Sequence, residues 1–240
     1  MGIYAEVHID DVRIIALSRD GGHSVGRYAG LNVADYVGDD QESVRHNLTE
    51  VAQYCHASEL AVMSAEHGSN VAVVTHGGQC PPADILVTTS RGVALLALAA
   101  DCVPVAFVDA RVGVLAVMHA GWRGLQSKVL EQVMATLRDH GATIHDVCAV
   151  IGPSICGRCY EVSEELASEI SAKFPVARVD ERHLDLGLAV EHWLQSQGVQ
   201  VQRMVGCTLE DEGLFSYRRA QGAPTGRGGL VAVLPGEVSA

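Results

Sequence analysis

Aromatic side chains make up only 5% of this chain and charged ones only 19%, and the apolar stretches are short. None reaches the roughly 18–20 residues that a membrane-spanning helix requires. The longest, residues 93–108, is interrupted by Asp101 and Pro104. The chain does not open on a basic segment followed by an apolar stretch, so no secretory leader is expected. Neither G-x-x-x-x-G-K-[ST] nor a G-x-G-x-x-G ahead of a helix occurs, which leaves nucleoside triphosphate and dinucleotide binding without support. Internal repeats, low-complexity tracts and charged linkers are also missing. Basic residues are outnumbered: the net charge is -12 and the pI about 5.3, which argues against nucleic acid and anionic membranes as partners.

What is present suits one compact domain spanning residues 1–240. The 240 residues are 48% hydrophobic and include 25 glycines, enough for a large core joined by tight turns. Seven cysteines lie between Cys55 and Cys207. An odd number without a leader points to a reducing, cytoplasmic setting with free thiols or metal thiolates. A monomer or a homodimer is expected.

Short apolar runs at residues 13–17, 71–75, 85–89, 93–99, 103–108, 112–118, 147–151, 199–205 and 230–234 read as strands, many rich enough in Val and Ala to be buried on both faces. Residues 43–56 read as a helix capped by Ser43, and 125–140, 163–174 and 186–197 as further helices. Gly77-Gly78 and Pro81-Pro82 read as breaks. Strands outnumber helices and do not alternate with them, which predicts an α/β fold of layered mixed sheets.

Three stretches could carry chemistry. His67 precedes Gly68 at the edge of a strand. Asp101 and Cys102 form a polar pair inside an apolar run, where burial costs several kcal/mol unless each finds a partner. His119 leaves a buried strand and is followed by Ala120-Gly121-Trp122-Arg123-Gly124, at a strand end where α/β sites usually form. Taken singly, each imidazole also reads as a hydrogen-bonded structural residue and the thiol as packing. The spacings, 102 − 67 = 35 and 119 − 102 = 17, match no short zinc signature. By donor count, two imidazoles and one thiolate suffice for a catalytic zinc with one open position, and the same set suits copper. Cys102 could instead be a nucleophile with His119 as its base. Cys156-Gly157-Arg158-Cys159 is a solitary C-x-x-C and reads as turn structure. Arg123, Arg218, Arg219 and Arg227 could together grip a phosphate.

The blocks Gly30-Leu31-Asn32-Val33, His67-Gly68, Ala83-Asp84, Ala100-Asp101-Cys102-Val103-Pro104, His119-Ala120-Gly121-Trp122-Arg123-Gly124, Cys159-Tyr160-Glu161-Val162, Phe215-Ser216-Tyr217-Arg218-Arg219 and Thr225-Gly226-Arg227 resemble, in order, the bacterial laccase-domain or polyphenol oxidase family, whose members are regarded as purine nucleoside phosphorylases. The resemblance implies an α/β/β/α sandwich. It implies one zinc on His67, Cys102 and His119, with Asp101 orienting a ligand or carrying a proton. It implies that Asn32 and the four arginines meet substrate. The activity implied is phosphorolysis of adenosine, inosine and methylthioadenosine to base and sugar phosphate, with deamination of adenosine beside it. The older name implies a copper phenol oxidase instead. Two places depart from the family pattern: Ala65-Glu66 stand where Gln-Val precedes the His, and Leu48 follows Asn47 where an Arg is usual, with Arg45 as a substitute charge one turn away.

Overall fold

Along a strand, successive side chains point to opposite faces, so each strand of a buried sheet feeds two cores. In the computed structural model, which describes residues 2–236, that division generates four layers. One six-stranded sheet has the order β1 (Ile3–Ile9), β2 (Val12–Leu17), β12 (Gly228–Val233), β7 (Val93–Ala99), β3 (Glu59–Ser64), β5 (Gly78–Pro82). The other has the order β11 (Gln200–Arg203), β10 (Cys148–Ile151), β8 (Val103–Asp109), β9 (Val114–Ala120), β6 (Ile85–Thr88), β4 (Val71–Val73). Both are mixed. In the first, β3 is parallel to β5 and β7 and the other pairs are antiparallel. In the second, β10–β11 and β4–β6 are the parallel pairs.

Leu95 and Ala97 of β7 and Leu230 and Ala232 of β12 face the second sheet, where Leu86, Ala106, Val108, Leu115 and Val117 meet them. The alternate residues, Leu96, Leu98, Val231 and Val233, face outward onto Val51 and Cys55 at the end of helix α1 (Gln41–Tyr54). On the far side, Val105, Phe107, Ala116 and Met118 pack against three helices, α3 (Val129–Asp139), α4 (Glu164–Lys173) and α5 (Leu186–Ser196). Each large side chain buried this way contributes about 1.5–3 kcal/mol. The order helix, sheet, sheet, helix is the expected α/β/β/α sandwich.

Several local expectations are corrected. Helix α1 is capped by Asp40, not Ser43: Asp40 Oδ2 accepts from Ser43 N at 2.8 Å and Ser43 Oγ at 2.9 Å, placing Ser43 inside the first turn. The helix expected over 125–140 is two, α2 (Trp122–Gln126) and α3, because Lys128 takes a left-handed φ of 63° between them. Strands β1 and β3 were not anticipated. The Pro81-Pro82 break lies in β5, an edge strand with an irregular register against β3, where prolines are tolerated. Among the described residues no helix is long and apolar enough to cross a membrane.

Candidate metal centre and active site

The site forms at one end of the sandwich, where the chain passes from the first sheet to the second. It crosses between β3 and β4 through His67, between β5 and β6 through Asp84, and between β7 and β8 through Cys102. His119 stands near the end of β9, two residues before Gly121 caps α2.

Asp84 organises this end. Its fully buried carboxylate accepts three backbone N–H groups: Glu66 at 3.1 Å and His67 at 2.7 Å on Oδ1, and Gly68 at 2.8 Å on Oδ2. Its carbonyl accepts the His119 N–H at 2.9 Å. One residue thus fixes the backbone of both imidazoles. The turn it holds is a demanding one, since His67 has φ +63°, a left-handed conformation that costs a residue with a side chain about 1–3 kcal/mol.

His119 is buried, and its Nδ1 lies 2.8 Å from the Leu98 carbonyl. That bond places the ring proton on Nδ1 and turns the Nε2 lone pair toward the site. Nε2 has no hydrogen-bond partner although it is buried. Burial also holds the His119 pKa below the usual imidazole value, against the opposing pull of Leu98. The ring is therefore neutral and its open nitrogen is a ligand in waiting. The His67 and His119 rings meet edge to face, 4.9 Å apart and 78° inclined. The donor atoms of His67, Cys102 and His119 all lie within 4.8 Å of one another. Gly121 makes room for them: a Cβ there would stand 3.0 Å from Cys102 Sγ and 3.4 Å from His67 Cδ2.

These donors open into a cavity of about 560 Å³. Three arginines stand on its wall, each over an aromatic ring. Arg123 lies 4.5 Å from the Trp122 ring centroid, Arg218 5.3 Å from Tyr160 and Arg227 5.7 Å from Tyr217. Backbone carbonyls hold two of them: Arg218 Nη1 donates to Glu161 at 2.9 Å, and Arg227 Nη1 to Thr225 at 2.9 Å and Gly226 at 3.1 Å. Burial pushes the Tyr160 hydroxyl up to about 12, so it remains an O–H donor at neutral pH.

A family model described as multi-copper polyphenol oxidoreductase laccase matches residues 13–235. The chain belongs to this laccase-like family. A purine nucleoside phosphorylase of Corynebacterium glutamicum is 38% identical over 237 residues, covering 94% of this chain and 96% of the relative. A protein named adenosine deaminase RL5, from an unknown prokaryotic organism, is 32% identical over 230 residues, covering 85% of this chain and 88% of that one. The crystal structure of a Neisseria meningitidis protein of the DUF152 family is similar with a TM-score of 0.85 at 30% identity, covering 98% of this chain and 100% of its own.

Within this laccase-like architecture, not every expected residue reaches the cavity. Asp101 lines it but faces away from the imidazoles: Oδ1 accepts from Thr208 Oγ1 at 2.5 Å and Oδ2 from the Arg218 N–H at 2.8 Å. Leu98 and Asp84, not Asp101, orient the imidazoles. Arg219 is spent on its own loop, where Nη1 donates to the carbonyls of Thr208, Leu209 and Asp211 and Nη2 to that of Leu214. Asn32 is fully buried; its Oδ1 accepts the Arg227 N–H at 2.9 Å and its Nδ2 donates to Asp39 at 2.8 Å. It positions the backbone of a wall residue without lining the cavity. Arg45 pairs with Glu42 on the exposed face of α1, at 3.0 Å from its Nε, and supplies no charge to the site. Glu66 Oε2 accepts from Asn70 Nδ2 at 3.2 Å, so the departure at this position ends in a local turn contact.

Sequence reasoning missed the role of Asp84, although an acid between Ala83 and Ile85 raises the same question as Asp101: a buried carboxylate must have partners. It also assigned no role to the cavity aromatics: Trp122, Tyr160 and Tyr217 lie inside quoted motifs without a part in the site, and Tyr36 lies in none.

The residues present fit a single divalent ion. Two imidazole nitrogens and one sulfur converge, one of the nitrogens is buried and unpaired, and a glycine clears the space beside the sulfur.

Proposed function

We propose that this protein is a metal-dependent purine nucleoside phosphorylase, acting on adenosine, inosine and methylthioadenosine to give the free base and ribose 1-phosphate or its methylthio analogue, with hydrolytic deamination of adenosine to inosine as a second activity. The observation that carries the reading is the His67, Cys102 and His119 trio at the end of a cavity walled by arginines and aromatic rings. The names of the relatives from Corynebacterium glutamicum and RL5 support the two activities.

The cavity volume falls within the roughly 300–1,000 Å³ of small-ligand sites. The rings of Trp122, Tyr160 and Tyr217 offer flat apolar surface to a purine. Arg123, Arg218 and Arg227 offer bidentate donors to phosphate. Phosphorolysis develops positive charge on the sugar carbon as the bond to the base breaks, and a phosphate gripped beside that carbon stabilises it and then bonds to it. Tyr160, protonated at neutral pH, can donate to an oxygen or nitrogen of the ligand. The Asp101 carboxylate keeps the Arg218 backbone in place and so fixes where the phosphate sits. His119, neutral with its proton held on Nδ1, would offer Nε2 to a metal ion. A zinc ion held by His67, Cys102 and His119 would supply a Lewis acid and could lower the pKa of water to about 7.

Copper oxidation of phenols is the second reading, favoured by the description of the family model and by the His₂Cys donor set, which suits copper. Multi-copper chemistry needs further imidazoles. Among the described residues the other group with metal-ligand spacing contains none.

Incubation with each nucleoside, with and without phosphate, followed by chromatography, tests the proposal. Hypoxanthine and ribose 1-phosphate should form from inosine only when phosphate is added. No base release from any nucleoside in the zinc-loaded protein, together with phenol oxidation by the copper-loaded one, would overturn it.

A further inference from the structure

A second set of thiols sits behind the cavity wall. Cys156 and Cys159 belong to the C-x-x-C that sequence reasoning read as a turn. A turn is indeed formed, with Cys159 N and Tyr160 N both donating to the Cys156 carbonyl at 3.0 Å. The same turn does more. Cys207, 207 − 159 = 48 residues further on, is brought alongside it by a parallel bridge to Ser154 and by a bond from Thr208 N to Ser154 O at 3.2 Å. The Cys156 N–H points at Cys207 Sγ, 3.4 Å away, and Glu210 Oε2 lies 4.0 Å from Cys156 Sγ. The three sulfurs and one Glu210 carboxylate oxygen all lie within 4.8 Å of one another. None of the three cysteines is in a disulfide.

We infer that Cys156, Cys159, Cys207 and Glu210 form a second metal site, closed and structural, for a thiophilic divalent cation of the zinc type. Three features carry this. A tetrahedral ion with bonds of about 2.3 Å to sulfur spaces its ligand atoms about 3.8 Å apart, which the cluster meets with small adjustments. The donors number four, the full complement of a structural zinc, and three are soft sulfurs that disfavour magnesium and calcium. A redox pair would use two sulfurs and leave Cys207 and Glu210 without a part, whereas all four donors converge on one point here. Arg158, itself exposed, meets Glu210 at 3.3 Å from the solvent side.

The placement gives the site a task. Ile155 and Tyr160 line the cavity on either side of the C-x-x-C, and Thr208, next to Cys207, donates to Asp101. An ion held here ties the loop carrying Tyr160 to the loop carrying Arg218. On binding, each thiol releases its proton and no electron moves. The inference does not depend on the nucleoside reading.

Cobalt(II) titration of the full-length Cys102→Ala variant, under anaerobic reducing conditions, isolates this site from the trio. One equivalent should bind, with tetrahedral visible bands and a sulfur-to-cobalt charge-transfer band. Adding Cys207→Ser should weaken binding at least about 100-fold, and Glu210→Gln about 10-fold, while Cys148→Ser, at a half-buried thiol in β10, changes nothing. Should the Cys207 variant fail to fold, Cys156→Ser provides the same comparison. Absence of the charge-transfer band in Cys102→Ala would overturn the inference. So would a Cys156–Cys159 disulfide in the protein purified under reducing conditions, located by peptide mapping as a linked pair two mass units low.

Discussion

The trio of donors and the wall of arginines share one cavity but are built in different ways. His67, Cys102 and His119 come from strand ends and sheet crossings, and a single buried residue, Asp84, anchors both imidazole backbones, that of His67 through its carboxylate and that of His119 through its carbonyl. Arg218 and Arg227 come from loops between β11 and β12, held by individual contacts from Asp101, Glu161, Asn32 and neighbouring carbonyls. The difference follows from tolerance. Ligand atoms must converge to a few tenths of an ångström, and strand ends supply that. A phosphate can be gripped by guanidinium groups on less rigid segments. The two regions should therefore fail separately and by different measures.

The largest separation is expected at Cys102→Ala, which removes one of three donors. The trio should hold no metal and inosine phosphorolysis should fall below detection, as metal analysis and product chromatography would record. A variant that lacks the ion yet turns over inosine normally would end the proposed role. Next is Asp84→Asn, which keeps the size but exchanges an anionic acceptor of three N–H groups for a neutral amide. Metal affinity should fall about 10–100-fold, measured by competition with a chromophoric chelator, while the KM for phosphate in the metal-saturated enzyme stays near normal. If KM moves as much as metal affinity, the two regions are not independent.

The opposite signature is expected from the wall. Arg218→Ala or Arg227→Ala should raise the KM for phosphate about 10-fold, equivalent to about 1.4 kcal/mol, with metal content unchanged. The smallest functional effect is expected at Asn32→Ala. Losing a buried network should cost about 1–3 kcal/mol of stability, visible as a lower Tm, with kcat for folded molecules retained. A large kcat loss without destabilisation would restore Asn32 to the substrate.

The sequence showed some of this clearly. The Val- and Ala-rich runs of β7, β8 and β9 are buried on both faces, so nothing polar obscures them. Edge strands were harder. β1 lies at one margin with a mostly half-buried pattern, and β5 at the other contains two prolines. The break at Lys128 was hidden because Leu125, Val129, Leu130 and Val133 keep helical spacing across it. At the site, the donors could be named from motifs, but their supports could not. Asp84 works through backbone N–H groups, which carry no side-chain signature, and Leu98 works through its carbonyl. Arg219 and Arg218 are adjacent and chemically identical, and only the path of the loop decides which one gathers carbonyls and which one faces the cavity.

The crossings between sheets have a consequence for how the protein matures. Its three donors are spread over 119 − 67 = 52 residues and meet only after two independent sheets have stacked. An extended nascent chain offers an ion no preformed nest, so capture follows docking of the sheets. An ion seated on the proposed trio would act as a rivet through the seam, bound to the native state and not to the unfolded chain. Its release would then accompany an opening of that end of the sandwich, and the lifetime of the loaded form would be governed by how rarely the seam parts.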